Sequence, residues 1–165
     1  MIPALPTRHA GVLFRSRLEA RWAVFFDHLG IRWEYEPEGF RLPSGEGYLP
    51  DFRLWGCKDG GGEMYAEVKP HGGDFAKARA LAAMLNDGAT HSQYVWLCEG
   101  PPNSGSWQVV STDQNESEAV WNHNRHRLWF LFNGGGREDE DGGEWIDDQR
   151  TLDAVSAALS ARFGT

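Results

Sequence analysis

Residues 48–70 read YLPDFRLWGCKDGGGEMYAEVKP, and their reading decides the fold. Residues 48–55 and 64–69 have strand-like composition, the glycine-rich KDGGGE between them supplies a turn, and Pro70 stops the second run. Successive side chains on a strand face opposite sides. Met64, Ala66 and Val68 therefore point one way, and Tyr65, Glu67 and Lys69 the other. By the same parity Asp51 shares a face with Leu49 and Arg53. If the two strands pair as neighbours, Asp51 can stand beside Glu67. Taken alone, Glu67-Val68-Lys69 reads as a solvated strand face, and Pro50-Asp51 says less still.

Upstream of this hairpin, FRSRLEARWAVFFDHLG predicts an amphipathic helix over about residues 15–29, with Leu18, Trp22, Phe25, Phe26 and Leu29 at helical spacing. Gly30 is its C-terminal stop. Glu19 falls beside the apolar stripe, at the edge of the buried face. IRWEYEP alternates as a strand, and EGFRLPSGEG carries turn chemistry. Downstream, DFAKARALAAMLND is a second helix, with Asp74 as expected N-cap and Gly88 just past its end. SQYVWLCEG reads as a buried strand and SWQVVST as another. ESEAVWNHNRH is ambiguous, RLWFLFN is a further strand candidate, and RTLDAVSAALSARFG closes the chain as a helix. The order helix, three strands, helix, strand implies an α/β class with a central mixed sheet flanked by helices. No repeat and no second boundary is visible, so one domain over residues 1–165 is expected.

The chain has 165 residues, 41% of them hydrophobic, enough for a real core. The N-terminal MIPALPTRHAGVLF lacks the apolar run of a secretory signal, and no stretch approaches the ~20 apolar residues of a membrane span. A cytoplasmic protein without a membrane partner is expected. Cys57 and Cys98, with no CxxC spacing, read as two reduced thiols rather than a disulfide framework or zinc site. The net charge of −8 speaks against a simple phosphate binder. Its distribution softens that objection. Residues 134–148 hold seven acids and one arginine, whereas residues 1–33 carry five arginines against two acids.

Two adjacent carboxylates repel at neutral pH unless one is protonated or a cation lies between them. Hard divalent ions take such oxygen ligands, with waters and substrate phosphate completing the shell. A lysine beside the ion can orient water, stabilise developing negative charge or help proton transfer.

Glu19, Pro50-Asp51 and Glu67-Val68-Lys69, in this order behind a helix and on adjacent predicted strands, resemble the signature of the PD-(D/E)XK nuclease superfamily. The resemblance covers residues 14–98 as the core and leaves 99–165 as a C-terminal extension. The hairpin is especially similar to small endonuclease domains of phage and transposon origin, including the TnsA-like group. The resemblance implies a restriction-endonuclease-like core in α-β-β-β-α-β order. It implies a Mg²⁺- or Mn²⁺-dependent DNA endonuclease, structure-selective or processing phage or mobile-element DNA, with RNA also open as substrate. Asp51 and Glu67 would hold the metal with the Val68 carbonyl, Glu19 would assist, and Lys69 would serve the attacking water. Arg15, Arg17 and Arg21 on the first helix and Lys77 and Arg79 on the second are candidate phosphate contacts, or simply solvated helix charges. A domain of this size would dimerise to cut both strands.

The alternative is a nuclease-fold protein without turnover, acting as a nucleic-acid or protein interaction module. The net negative charge favours it, and the presence of all four catalytic residue types opposes it. The resemblance leaves residues 134–148 unexplained: a solvated connection, a screen for the site or a partner contact. His123 and His126 lack the companions of a metal motif and read as local hydrogen bonding. Trp22, Trp33, Trp96 and Trp129 fit core patterns, whereas Trp55, Trp107 or Trp145 are candidates to stack on a base.

Overall fold

The computed structural model describes residues 4–57, 62–90, 93–102, 107–112, 118–123 and 149–163. It opens with a two-stranded hairpin, β1 (Thr7–His9) and β2 (Val12–Phe14), turned through Ala10 and Gly11, both at positive φ (48° and 81°). This hairpin has no counterpart among the elements expected from the sequence. Helix α1 (Arg17–Leu29) follows, starting two residues later than expected because Ser16 is its extended N-cap, with a hydroxyl that accepts from the Glu19 N–H. Gly30 ends the helix in the left-handed region at φ 70°.

Strand β3 (Arg32–Tyr35) leads into a small hairpin, β4 (Phe40–Arg41) and β5 (Gly47–Tyr48). The expected turn at 38–47 is thus the tip of a separate two-stranded sheet. Residues 48–55 do not form one strand either. Tyr48 pairs with Phe40, and β6 (Phe52–Cys57) begins only after Asp51. Strand β7 (Gly62–Lys69), helix α2 (Ala76–Asn86) and strand β8 (Tyr94–Glu99) come next. The N-cap of α2 is Phe75 rather than Asp74, although Asp74 Oδ1 still accepts from the Ala76 N–H at 2.8 Å. The ambiguous segment resolves into β10 (Glu118–His123), paired with β9 (Trp107–Thr112), and α3 (Gln149–Ser160) is the last described element. The turn at 58–61, the strand candidate at 127–133 with Trp129, the loop 134–148 with Trp145, and His126 lie outside the described residues.

The main sheet has the order β10-β9-β8-β7-β6-β3, and β7–β8 is its parallel pair, joined through α2. The class is α/β, with a mixed sheet and three helices among the described residues. The expected parity holds in β7. Met64, Ala66 and Val68 join Phe52, Leu54, Trp96 and Cys98 against α1 and α3, whereas Tyr65 joins Val95, Leu97, α2 and the β4–β5 hairpin on the other face. Trp22 and Trp96 are fully buried with ring centroids 5.7 Å apart, and Phe26 meets Phe52 edge-on at 5.3 Å. Cys98 is a free, buried thiol. No described helix is long and apolar enough to cross a membrane.

Candidate active site

The antiparallel register pairs Phe52 with Ala66, so one step further out Asp51 stands opposite Glu67. Asp51 occupies a bend that leads into β6. Its carbonyl accepts from the Glu36 N–H at 2.8 Å, with Glu36 held at φ 48°. The residue is 3% exposed. Oδ2 accepts from the Val68 N–H at 2.8 Å, and Oδ1 accepts from Arg15 Nη2 at 3.0 Å. Asp51 and Arg53 share a face with Tyr65 and Glu67, as expected, since Arg53 pairs with Tyr65 and both reach Glu38. Leu49 is exposed, and Arg53 turns to Glu34 and Glu38.

Glu67 is 5% exposed between two donors. The Tyr48 hydroxyl donates to Oε2 at 2.7 Å, and Lys69 Nζ lies 2.5 Å from Oε1. Lys69 stands two positions along the same strand face, with its side chain still 36% exposed. Glu19 is buried at the start of α1, where Oε1 accepts from the Ser16 hydroxyl at 2.9 Å and Oε2 from the Tyr35 hydroxyl at 2.5 Å. Its link to the pair runs through Arg15, whose backbone N–H donates to Glu19 Oε2 while its guanidinium reaches Asp51 and Glu36.

The electrostatics follow from burial. Desolvation first, then the field of Glu67, raises the Asp51 carboxyl to about 7, against the pull of the Val68 N–H. Burial and then Glu67 push the Tyr48 phenol far up, so it stays a donor. Tyr35 rises to about 12 through burial and its bond to Glu19. Burial alone would lower Lys69, but its bond to Glu67 and the charges of Glu67 and Asp51 outweigh that and raise it. Arg15 behaves likewise: partial burial is overcome by Tyr35, Glu36 and Asp51. The Cys98 thiol is pushed well up by burial, then by Asp51 and Glu67.

Among the described residues no group of three or more His, Cys, Asp or Glu side chains stands at metal-ligand spacing. The donor chemistry nonetheless fits a hard divalent cation. Asp51 and Glu67 are all-oxygen, buried and mutually repulsive, and each carboxylate oxygen has more than one acceptor direction. A cation between them would take over the role that Arg15 and Lys69 play from either side. Of the expected ligands, Asp51 and Glu67 are brought together, Val68 meets Asp51 through its N–H, and Glu19 is adjacent and engaged by Ser16 and Tyr35.

The expected phosphate contacts divide. Arg15 reaches the carboxylates. Arg17 and Arg21 lie towards the end of α3, and Arg21 donates to the Ala158 and Leu159 carbonyls. Lys77 pairs with Glu46 at 3.4 Å, and Arg79 is half-buried in α2. Trp55 donates to Glu63 and has the Arg32 and Arg53 guanidiniums over its ring at 4.4 and 5.1 Å, so a base that stacked there would compete with the protein's own arginines.

Ser16, Tyr35, Glu36 and Tyr48 join the site without having been singled out from the sequence. Ser16-x-x-Glu19 is a capping-box pattern and could have been read. The two tyrosines carry no such signal, because a tyrosine on a strand looks the same whether its hydroxyl meets water or a buried acid. Comparison with protein-family models, curated proteins and solved structures finds no match.

Proposed function

We propose that this chain is a metal-dependent phosphodiesterase of the PD-(D/E)XK type, with a restriction-endonuclease-like core, that cuts DNA. The observation that carries the reading is the buried Asp51–Glu67 pair, brought together where the bend before β6 meets β7, with Lys69 bonded to Glu67. The run of α1, β3, β6, β7, α2 and β8, with β7 and β8 parallel, supports it. Phage or mobile-element DNA processing in the cytoplasm, by a dimer, is the setting that suits the resemblance.

Asp51 and Glu67, with the Val68 carbonyl, would hold Mg²⁺ or Mn²⁺, and the ion would supply a polarised water and charge stabilisation at the scissile phosphate. Lys69 is held charged by its neighbours, so it works as a donor that orients water and stabilises negative charge, rather than as a proton acceptor. The Tyr48 hydroxyl fixes the rotamer of Glu67, and the Val68 N–H fixes that of Asp51. Arg15 keeps a cation at Asp51 and becomes available to phosphate once that charge is otherwise met. Glu19 acts as a positioning residue through Arg15.

The test is cleavage of linear, nicked, single-stranded and branched DNA, and of RNA, with Mg²⁺, Mn²⁺ or EDTA. Metal-dependent cleavage by the wild type and its loss in Lys69→Ala supports the reading. Equal inactivity of both under every condition sinks it. A second reading, an interaction module without turnover, is favoured by the fact that Arg15 and Lys69 already neutralise the acids. Calorimetry separates the two, since a module of that kind binds no Mn²⁺.

A further inference from the structure

We propose a second anion site, a groove between α1 and the C-terminal end of α3 that binds the phosphodiester backbone of a nucleic-acid strand running away from the carboxylate cluster. The part that concerns the strand's direction rests on the nuclease reading; the groove itself does not. It is a cavity of about 570 Å³ whose lining includes Arg17, Arg21, Arg162, Ser160 and Phe163. Three guanidiniums around one cavity are unusual in a chain of net charge −8.

Their arrangement is built by the fold. Arg17 and Arg21 are one helical turn apart, on the side of α1 away from Glu19. Arg21 Nη1 donates to the carbonyls of Ala158 at 2.9 Å and Leu159 at 2.5 Å, which pins the end of α3 and fixes the guanidinium, with further N–H groups to spare. Arg17 and Arg162 are exposed on either side. The acids of these helices are used elsewhere or distant. Glu19 faces the cluster, Asp27 is taken by His9 and Trp33, and Asp153 lies about two turns back along α3.

A helix C-terminus repels anions, but only with about half a charge. Three guanidiniums outweigh it, and Arg21 sits directly on those carbonyls. Arginine forks match phosphate oxygens. Arg17 is two residues from Arg15, so the groove begins within about 7 Å of chain from the residue whose guanidinium touches Asp51. A strand with one phosphate at the cluster can lay the following ones along Arg17 and Arg162.

The experiment is fluorescence anisotropy with labelled single-stranded and duplex DNA over a salt series, in EDTA so that nothing is cut. The double variant Arg17→Ala/Arg162→Ala is compared with the wild type and with Arg8→Ala/Arg41→Ala, a control of equal charge change. Arg21 is left intact because it holds α3. We expect the groove variant to bind about tenfold more weakly, with a salt slope shallower by about one per phosphate no longer neutralised, while the control does not change. Arg162→Glu should weaken binding further at unchanged thermal stability. Equal affinity and slope in the groove variant and the wild type overturn the proposal, as does an equal loss in the control. If the wild type cuts DNA but the groove variant binds normally, the groove fails alone. If the groove variant loses binding while the wild type never cuts, the nuclease reading fails and the groove stands.

Discussion

The Val68 N–H donates to Asp51 Oδ2 at 2.8 Å, so the residue between Glu67 and Lys69 holds the opposing acid in place. A strand-interior amide is thereby used to bring two buried carboxylates together. Without a metal, that proximity is a cost, and it should be visible in the pH dependence of stability.

Asp51 titrates near 7 in the folded chain, against 3.8 ordinarily. Between these values the folded state holds a proton that the unfolded state has released. Stability therefore falls as pH rises from about 4 to about 7, and levels off above. Thermal unfolding in EDTA should show this decline in the wild type and a flatter profile in Asp51→Asn. An identical slope in both would show that Asp51 is not the group responsible.

Tyr48→Phe removes the donor to Glu67 Oε2 and nothing else at that position. A buried acceptor left unsatisfied costs about 1–3 kcal/mol. Denaturant unfolding should report a loss in that range. Any cleavage activity should also fall, because Glu67 is free to change rotamer.

Lys69→Ala leaves Glu67 without its cation and the reaction without its donor. A single electrostatic donor of this kind is worth about 10²–10³ in turnover. Metal-dependent cleavage should drop by that factor. Lys69→Arg, which keeps the charge but not the shape, should restore stability more fully than rate.

Ala10 sits at φ 48° in the two-residue turn between β1 and β2. A left-handed alanine costs about 1 kcal/mol. Ala10→Gly, or Ala10→Asn, should raise stability by a comparable amount with no effect on the site. An unchanged or lower melting temperature would contradict the turn geometry.

Gly100 carries a different constraint, at φ 69° with its N–H on the Lys69 carbonyl and its carbonyl on the Trp22 indole. A Cβ there would crowd the His71 ring, at 3.1 Å from Cδ2 and closer still to Nε2. Gly100→Ala should destabilise by roughly 1–3 kcal/mol. Its readout near the site is a weakened Mn²⁺ affinity by calorimetry.

The common face of Glu67 and Lys69 is legible in the sequence because a strand alternates with period two and β7 is unbroken. The helix ends are legible through Ser16 and Gly30. The place of Asp51 beside Glu67 is legible by the same parity, but the bend it occupies is not. That bend is held by Glu36, which only the paired backbone reveals. Tyr35 and Tyr48 are hidden for a related reason, since side-chain bonds across 16 and 19 residues leave no periodic trace. Arg21 reads as a surface charge in the sequence because α3, which arrives beneath it, lies 137 residues away.

That last span bears on how the molecule assembles. Every residue of the carboxylate cluster falls between Arg15 and Lys69, so its contacts close within the first half of the chain. The outer side of α1 waits for Ala154 and Ala158, near the other end of the described chain. On a ribosome the chemistry would thus be arranged while an apolar helix flank is still bare. The interval before α3 docks is when this protein would be most prone to stick to itself.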